Sequence, residues 1–120
     1  MVMDVKGCYK KMGGNYEQAA RLMGSDERIL KYLKLFQGDM NFYALCSAVK
    51  ENDFKTAFNA AHTLKGLALN LSLTSLADRT KELTELLRGG DPGEGLASLL
   101  ERTTRTYASV LECINTLIDE

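Results

Sequence analysis

The sequence predicts an all-α protein, an up-and-down antiparallel four-helix bundle with additional short helices at its N-terminus. Apolar residues recur at three- and four-residue spacing through almost the whole chain, whereas the alternating pattern of a half-buried strand is nowhere sustained. Only one proline, Pro92, interrupts the chain. The length of 120 residues is typical of one domain with one core. We therefore expect a single domain over residues 1–120, with the short helices in 1–38 and the bundle in 41–119.

Three short helices are predicted before the bundle, each bounded by recognisable end signals. The first spans 2–12 and ends at a pair of glycines. Asn15 can cap the second helix, which Gly24 closes. Ser25 can cap the third helix, which ends at Gly38. The first two, over residues 2–23, could pack beside the functional face of the bundle or at its far end.

Four further helices are predicted to share the core. The first spans 41–50, and the second spans 54–71, where apolar residues form a continuous stripe along about five turns. Ser72 is placed to cap the third helix, so the second and third should form an antiparallel hairpin. Asp91 is a good cap for the last helix, and Pro92 suits its first helical position.

Charge and cysteine content exclude several classes of protein. Lys and Arg total 15 against 16 for Asp and Glu, so the chain lacks the basic surface of a protein that binds nucleic acid or an anionic membrane. Cys8, Cys46 and Cys113 are odd in number and widely spaced, which fits neither a disulfide framework nor a metal knuckle. Charged residues within 1–12 leave no signal peptide or membrane span there. We expect a cytoplasmic protein that acts as a monomer.

The only histidine of the chain, His62, lies in the helix predicted over 54–71. At about 100° per residue, its side chain points roughly 130° away from the middle of the apolar stripe and therefore toward solvent. Apolar residues around this polar centre predict a surface that a partner would cover. The residues on the same side of the helix are Lys55, Phe58, Asn59, Lys65, Gly66 and Leu69.

Two of these neighbours suggest what the histidine does. Gly66 destabilises a helix interior by roughly 1 kcal/mol relative to alanine, and its missing side chain would let another molecule approach His62. Lys65 lies about 60° from His62 around the helix axis, so its ammonium could neutralise an anion attached to the imidazole. A phosphoryl group is the obvious anion. Histidine is nucleophilic near neutral pH and can leave again, as a reversible covalent carrier requires.

The residues around the histidine read His62-Thr63-Leu64-Lys65-Gly66, followed by Ala68, Asn70 and Leu71. This run resembles the signature of the histidine-containing phosphotransfer (HPt) domains of two-component phosphorelays, and the resemblance extends into the next helix. It implies a four-helix bundle whose exposed histidine receives a phosphoryl group from a receiver-domain aspartate and returns it to another. For this chain it implies His62 as phosphoacceptor, Lys65 beside the phosphoryl oxygens, and Gly66 making room for the receiver.

The resemblance also implies the partners and shows two departures. The partners would be receiver domains of response regulators or hybrid histidine kinases, with magnesium on the receiver and no cofactor on this chain. Ser72 stands where the family commonly has glycine, and Thr84 stands where Glu or Gln often orients the histidine ring. Glu82, Glu85 or Thr84 itself could take that orienting role.

Other activities fit the sequence less well. The glycine-rich run 89–95 lacks the lysine and hydroxyl residue of a phosphate-binding loop, so we expect a phosphotransfer intermediate without ATP binding or autokinase activity. The alternative is a helical interaction module that docks on receiver domains through Phe58 and Leu69 without accepting phosphate. Metal-dependent hydrolysis is disfavoured because one histidine and scattered cysteines offer few ligands, and no metal site is predicted.

Overall fold

The computed structural model describes residues 4–119, and every regular element within that range is helical. The prediction of an all-α protein is therefore confirmed. The start predicted at Val2 for the first helix lies outside the described residues. The helices are α1 (Val5–Met12), α2 (Tyr16–Met23), α3 (Asp26–Gln37), α4 (Asn41–Lys50), α5 (Phe54–Asn70), α6 (Thr74–Leu87) and α7 (Leu96–Asp119). None of these helices is long and apolar enough to cross a membrane.

Helices α4 to α7 form the bundle, and each packs on the next along the chain. Their apolar stripes meet in one core, because leucine and isoleucine side chains from all four helices are buried there. On α5 the stripe also contains Ala57, Ala61 and Ala68, each fully buried. Small side chains let neighbouring helices approach α5 closely, so this helix is held firmly on its inner side.

Helix α1 packs on α7 and on the turn between α5 and α6. The buried hydroxyl of Tyr9 donates a hydrogen bond of 2.8 Å to the carbonyl oxygen of Leu71. Gly13, at a φ of +68°, lies so close to Ser75 that a Cβ at this position would collide with the Ser75 hydroxyl. The first helix therefore lies at one end of the bundle, about two and a half helical turns along α5 from His62.

Side-chain caps begin the helices at the positions that the sequence predicts for α2 and α3. The Asn15 side chain accepts a hydrogen bond of 3.0 Å from the backbone N–H of Gln18. The Ser25 hydroxyl accepts one of 3.2 Å from the backbone N–H of Arg28. Each such cap stabilises a helix by about 1 kcal/mol. Both predicted caps are confirmed.

The cap predicted at Ser72 for α6 is wrong. Ser72 adopts the left-handed conformation, with a φ of +58°, and its side chain is buried. Its hydroxyl has no hydrogen-bond partner among residues 4–119. Leu73 occupies the capping position of α6 and makes no side-chain cap. Ser72 belongs to the turn that reverses the chain between α5 and α6, where a left-handed residue is needed.

The predicted start of the last helix is about one turn too early. Asp91 accepts a hydrogen bond of 3.0 Å from the backbone N–H of Gly93, as a capping residue would. The first turn is nevertheless a 3₁₀ turn over Gly93–Gly95, and α7 begins at Leu96. Gly93 has a φ of +72°, which is incompatible with an α-helix at that position.

Candidate functional site around His62

His62 lies near the middle of α5 and is exposed, as the helical periodicity predicts. The preceding residues Ala60 and Ala61 and the following Leu64 are buried in the core. The inner side of α5 is therefore fixed by packing, and the imidazole projects from the outer side of a rigid helix. Rigid placement of a reactive group on a packed helix favours precise contact with a partner.

The imidazole contacts an aromatic side chain one turn earlier on the same helix. The rings of Phe58 and His62 are stacked, with 6.0 Å between their centroids and an angle of 6° between their planes. Phe58 is half-buried and packs against the core. One side of the Phe58 ring therefore packs within the protein, and only the rest of the ring is open to a partner.

A cation lies over Phe58. The guanidinium carbon of Arg88 is 5.3 Å from the centroid of the Phe58 ring. Arg88 is also paired with Glu85 through hydrogen bonds of 2.9 Å and 3.3 Å from Nη2 and Nε. These hydrogen bonds, and then the charge of Arg88, hold the pKa of the Glu85 carboxyl below its usual range, with a smaller contribution from Lys65. The sequence prediction omitted Arg88 from the site.

None of the three residues that could have oriented the histidine ring forms a hydrogen bond with it. Thr84 is buried and donates its hydroxyl to the carbonyl oxygen of Thr80 at 2.7 Å. Glu82 is paired with Arg79 at 2.6 Å, and Glu85 is paired with Arg88. Within residues 4–119, the imidazole of His62 stacks on Phe58 and forms no hydrogen bond or ion pair.

Lys65 and Gly66 leave charge and space beside the imidazole. Lys65 is half-buried, and no carboxylate of the described chain lies within 4.0 Å of its ammonium. A Cβ added to Gly66 would meet no atom within 4 Å beyond its chain neighbours and the adjacent backbone of α5. Residues three or four apart on a helix are neighbours, so both positions flank the imidazole. The Lys65 ammonium is therefore available to pair with an anion on His62, and the space at Gly66 is open to a partner.

The remaining predicted docking residues lie on the same side of α5. Lys55 and Asn59 are exposed, and Leu69 is 56% exposed. Leu69 also lines a groove of about 580 Å³ between α2, α3 and the C-terminal end of α5. Three more exposed apolar side chains line this groove, namely Leu22, Tyr32 and Leu35. The sequence prediction missed them because they come from helices distant in the chain.

The three cysteines lie on α1, α4 and α7 and are free thiols. Burial raises the pKa of the Cys8 thiol to about 12, and the neighbouring Cys113 adds to the effect. Such a thiol stays protonated and unreactive at neutral pH. Among the described residues, no three His, Cys, Asp or Glu side chains converge as metal ligands would.

Comparisons with known proteins give one match. A family model described as "Hpt domain" matches residues 32–119. The matched region includes all of α4 to α7 and the second half of α3, so it contains the whole His62 face of α5. Searches of curated proteins and of solved structures found no significant match.

Proposed function

The chain belongs to the Hpt domain family, and from this premise we propose that His62 is its phosphoacceptor. Membership gives the chain a phosphotransfer role in phosphorelays and receiver domains as its partners. In our proposal His62 accepts a phosphoryl group from a receiver aspartate and passes it to another receiver. One observation carries this assignment: the only histidine of the chain is exposed on the outer side of a packed helix.

The transfer needs only a nucleophile from this chain. The unprotonated ring nitrogen of the neutral imidazole attacks phosphorus while the bond between phosphorus and the aspartate oxygen breaks, and the aspartate leaves as a carboxylate. The other ring nitrogen keeps its proton, so the phosphorylated ring carries a positive charge and is itself a good leaving group. Attack by a second receiver's carboxylate reverses these bond changes. Magnesium on the receiver would neutralise the phosphoryl oxygens during both steps.

Lys65 is our candidate for stabilising the phosphoryl group on this side. Its ammonium has no carboxylate partner within 4.0 Å in the described chain, so pairing with a phosphoryl oxygen breaks no existing ion pair. Gly66 is our candidate for admitting the receiver, because the space that a side chain would occupy is open. Hydrogen bonds between ionised groups are about twice as strong as neutral ones, so a single lysine can matter at this site.

We propose that the receiver docks across the outer side of α5, from Lys55 and Asn59 past Phe58 and Gly66 to Leu69. A standard interface covers about 800 Å² on each partner, which corresponds to a disc with a radius of roughly 16 Å. Leu69 is seven residues from His62, or about 10 Å along the helix. A receiver centred on the imidazole would therefore also cover Leu69 and the near edge of the groove.

The proposal is tested with a receiver domain carrying a radiolabelled aspartyl phosphate. Wild-type protein should acquire a phosphate that is labile in acid and stable in alkali, and His62→Gln should acquire none. Thr63→Ala is the matched control, since this neighbouring exposed residue points about 100° away around the helix. Transfer that persists in His62→Gln would disprove the assignment. Binding of the receiver without any labelling of the wild type would favour the docking module without phosphate.

A further inference from the structure

The ring of a phosphoaccepting histidine must be held so that one nitrogen faces the incoming phosphorus. Rotation about the bond to an aromatic ring is broad and roughly two-fold, so the backbone alone does not fix the ring plane. A hydrogen bond from a neighbouring side chain is one way to fix it. The described residues offer no such bond to His62, because Thr84, Glu82 and Glu85 are each engaged elsewhere.

Stacking supplies a different constraint on this ring. Phe58 lies one turn before His62 on α5, and the two ring planes differ by only 6°. A separation of 6.0 Å between centroids lies within the range of offset-stacked aromatic pairs. Phe58 packs against the core, so its plane is set by the fold rather than by solvent. A fixed Phe58 therefore favours one plane for the imidazole.

Phe58 is in turn held from α6. Arg88 follows the last residue of α6 and places its guanidinium 5.3 Å from the Phe58 ring centroid. Glu85 binds that guanidinium through two nitrogens, which fixes the direction of the planar group. The order of contacts is then Glu85 to Arg88, Arg88 to Phe58, and Phe58 to His62. This series of contacts links the outer sides of both helices of the hairpin.

We propose that Phe58 is a positioning residue that sets the plane of the His62 ring, and that Arg88, held by Glu85, steadies Phe58. The inference rests on the proposed function, because the ring plane matters only if His62 reacts. It assigns Phe58 a role beyond docking. It also gives Arg88 a role beyond its ion pair with Glu85, because an exposed ion pair by itself contributes little to stability.

The spectroscopic test follows the ring of His62 directly. With one histidine in the chain, the two carbon-bound ring protons give two NMR signals that need no assignment. The ring current of Phe58 should displace these signals, and Phe58→Leu should return them toward the values of a free histidine. Phe58→Tyr should preserve the shift. Arg88→Ala should reduce the shift, and Arg88→Lys should restore part of it.

The kinetic test separates positioning from docking. In single-turnover transfer from a phosphorylated receiver, Phe58→Leu should lower the maximal rate by roughly tenfold, since misplaced reacting groups slow transfer. Arg88→Ala should lower it by about two- to fivefold, as expected for loss of an exposed cation–π contact. Arg79→Ala is the matched control, because Arg79 forms a similar ion pair with Glu82 on α6 and has no Phe58 contact in the described chain. That control should leave the rate unchanged.

Two results would overturn the proposal. The first is an unchanged pair of His62 signals in Phe58→Leu, which would mean that the rings are not stacked in solution. The second is a normal maximal rate with only a higher half-saturating receiver concentration, which would make Phe58 a docking residue alone. The NMR measurement requires no phosphate, so failure of positioning and failure of the phosphoacceptor assignment are distinguishable. Circular dichroism of each variant checks that the bundle is folded.

Discussion

Replacing Gly66 by alanine should make the protein more stable and a poorer phosphotransfer partner. Gly66 lies within α5, where glycine is less favourable than alanine by about 0.8–1.0 kcal/mol. The added methyl group would meet no atom within 4 Å beyond its chain neighbours and the adjacent backbone of α5, so no clash offsets this gain. With an unfolding entropy of about 2.1 cal/mol/K per residue, 1 kcal/mol raises the Tm of a 120-residue chain by about 4 °C.

The opposite effect is expected on transfer, because the receiver must approach His62 over this position. An extra methyl group in a closely packed contact costs about 1–3 kcal/mol, which corresponds to roughly 5- to 150-fold weaker binding. The assays are thermal unfolding by circular dichroism and single-turnover transfer from a phosphorylated receiver across a range of concentrations. Gly66→Leu should extend the series, with little further change in Tm and a larger loss of transfer.

Ser109→Ala provides the control for stability itself. Ser109 is exposed on α7, and alanine there should raise stability by roughly 0.5 kcal/mol without altering transfer. A Gly66→Ala protein that is stabilised and transfers normally would refute the idea that this space serves a partner. A destabilised Gly66→Ala protein would instead mean that the space beside His62 is filled in solution.

Three further predictions concern single residues. Lys65→Gln should slow transfer to His62 roughly tenfold in single-turnover kinetics, since a charge-assisted contact contributes about 1.5 kcal/mol. Lys65→Arg keeps the charge and should retain most of the rate. Equal rates in both variants would contradict a role for the charge. Ser72→Gly should raise the free energy of unfolding in denaturant titrations by about 1 kcal/mol. The substitution relieves the strain of a serine in the left-handed conformation and removes a buried hydroxyl without a hydrogen-bond partner. A loss of stability would show that the hydroxyl is hydrogen-bonded in solution. Burial raises the pKa of the Cys8 thiol from its ordinary value of 9.0 to about 12. Above pH 9 the unfolded chain therefore loses a proton that the folded chain still holds. The contribution of this thiol to the free energy of unfolding should fall by about 1.4 kcal/mol per pH unit. Cys8→Ala should have a shallower decline than the wild type when unfolding is measured between pH 9 and 10.5, and an identical slope would argue against the raised pKa.

The helices were predictable because their signals are local. The stripe on α5 recurs within a few residues, and buried positions such as Ala57 and Leu64 follow directly from it. The caps at Asn15 and Ser25 depend on a side chain and a backbone N–H three residues apart, so they too can be seen in sequence. The outward position of His62 follows from the same periodicity.

The predictions failed where backbone conformation or long-range contact decides the outcome. Ser72 looks like a cap in sequence, but the reversal between α5 and α6 requires a left-handed residue there. A glycine would adopt that conformation without the steric strain of a side chain. The first turn of the last helix is 3₁₀ because Gly93 has a positive φ, which the proline before it did not reveal.

Arg88 could have been found by a simple geometric argument. In an antiparallel hairpin, residues equally distant from the turn face each other, and a turn at Ser72 places Arg88 opposite position 56, beside Phe58. The apolar lining of the groove had no such signal, because Leu22 and Leu35 meet α5 only through the packing of α2 and α3. Sequence periodicity predicts which face of a helix is buried but not which distant helix lies beside it.

The division of α5 into two sides makes the site open to experiment. The inner side carries the alanines and leucines whose burial holds the bundle together. Replacing a buried leucine there by alanine would lower the free energy of unfolding by about 2–5 kcal/mol. The outer side carries His62, Lys65 and Gly66, which form no ion pair in the described chain, and the stacking of His62 on Phe58 is the one aromatic contact that a substitution there would remove. Exposed substitutions of this kind usually change stability by less than about 0.5 kcal/mol, apart from the gain expected at Gly66. A loss of transfer in these variants can therefore be attributed to chemistry or docking rather than to unfolding.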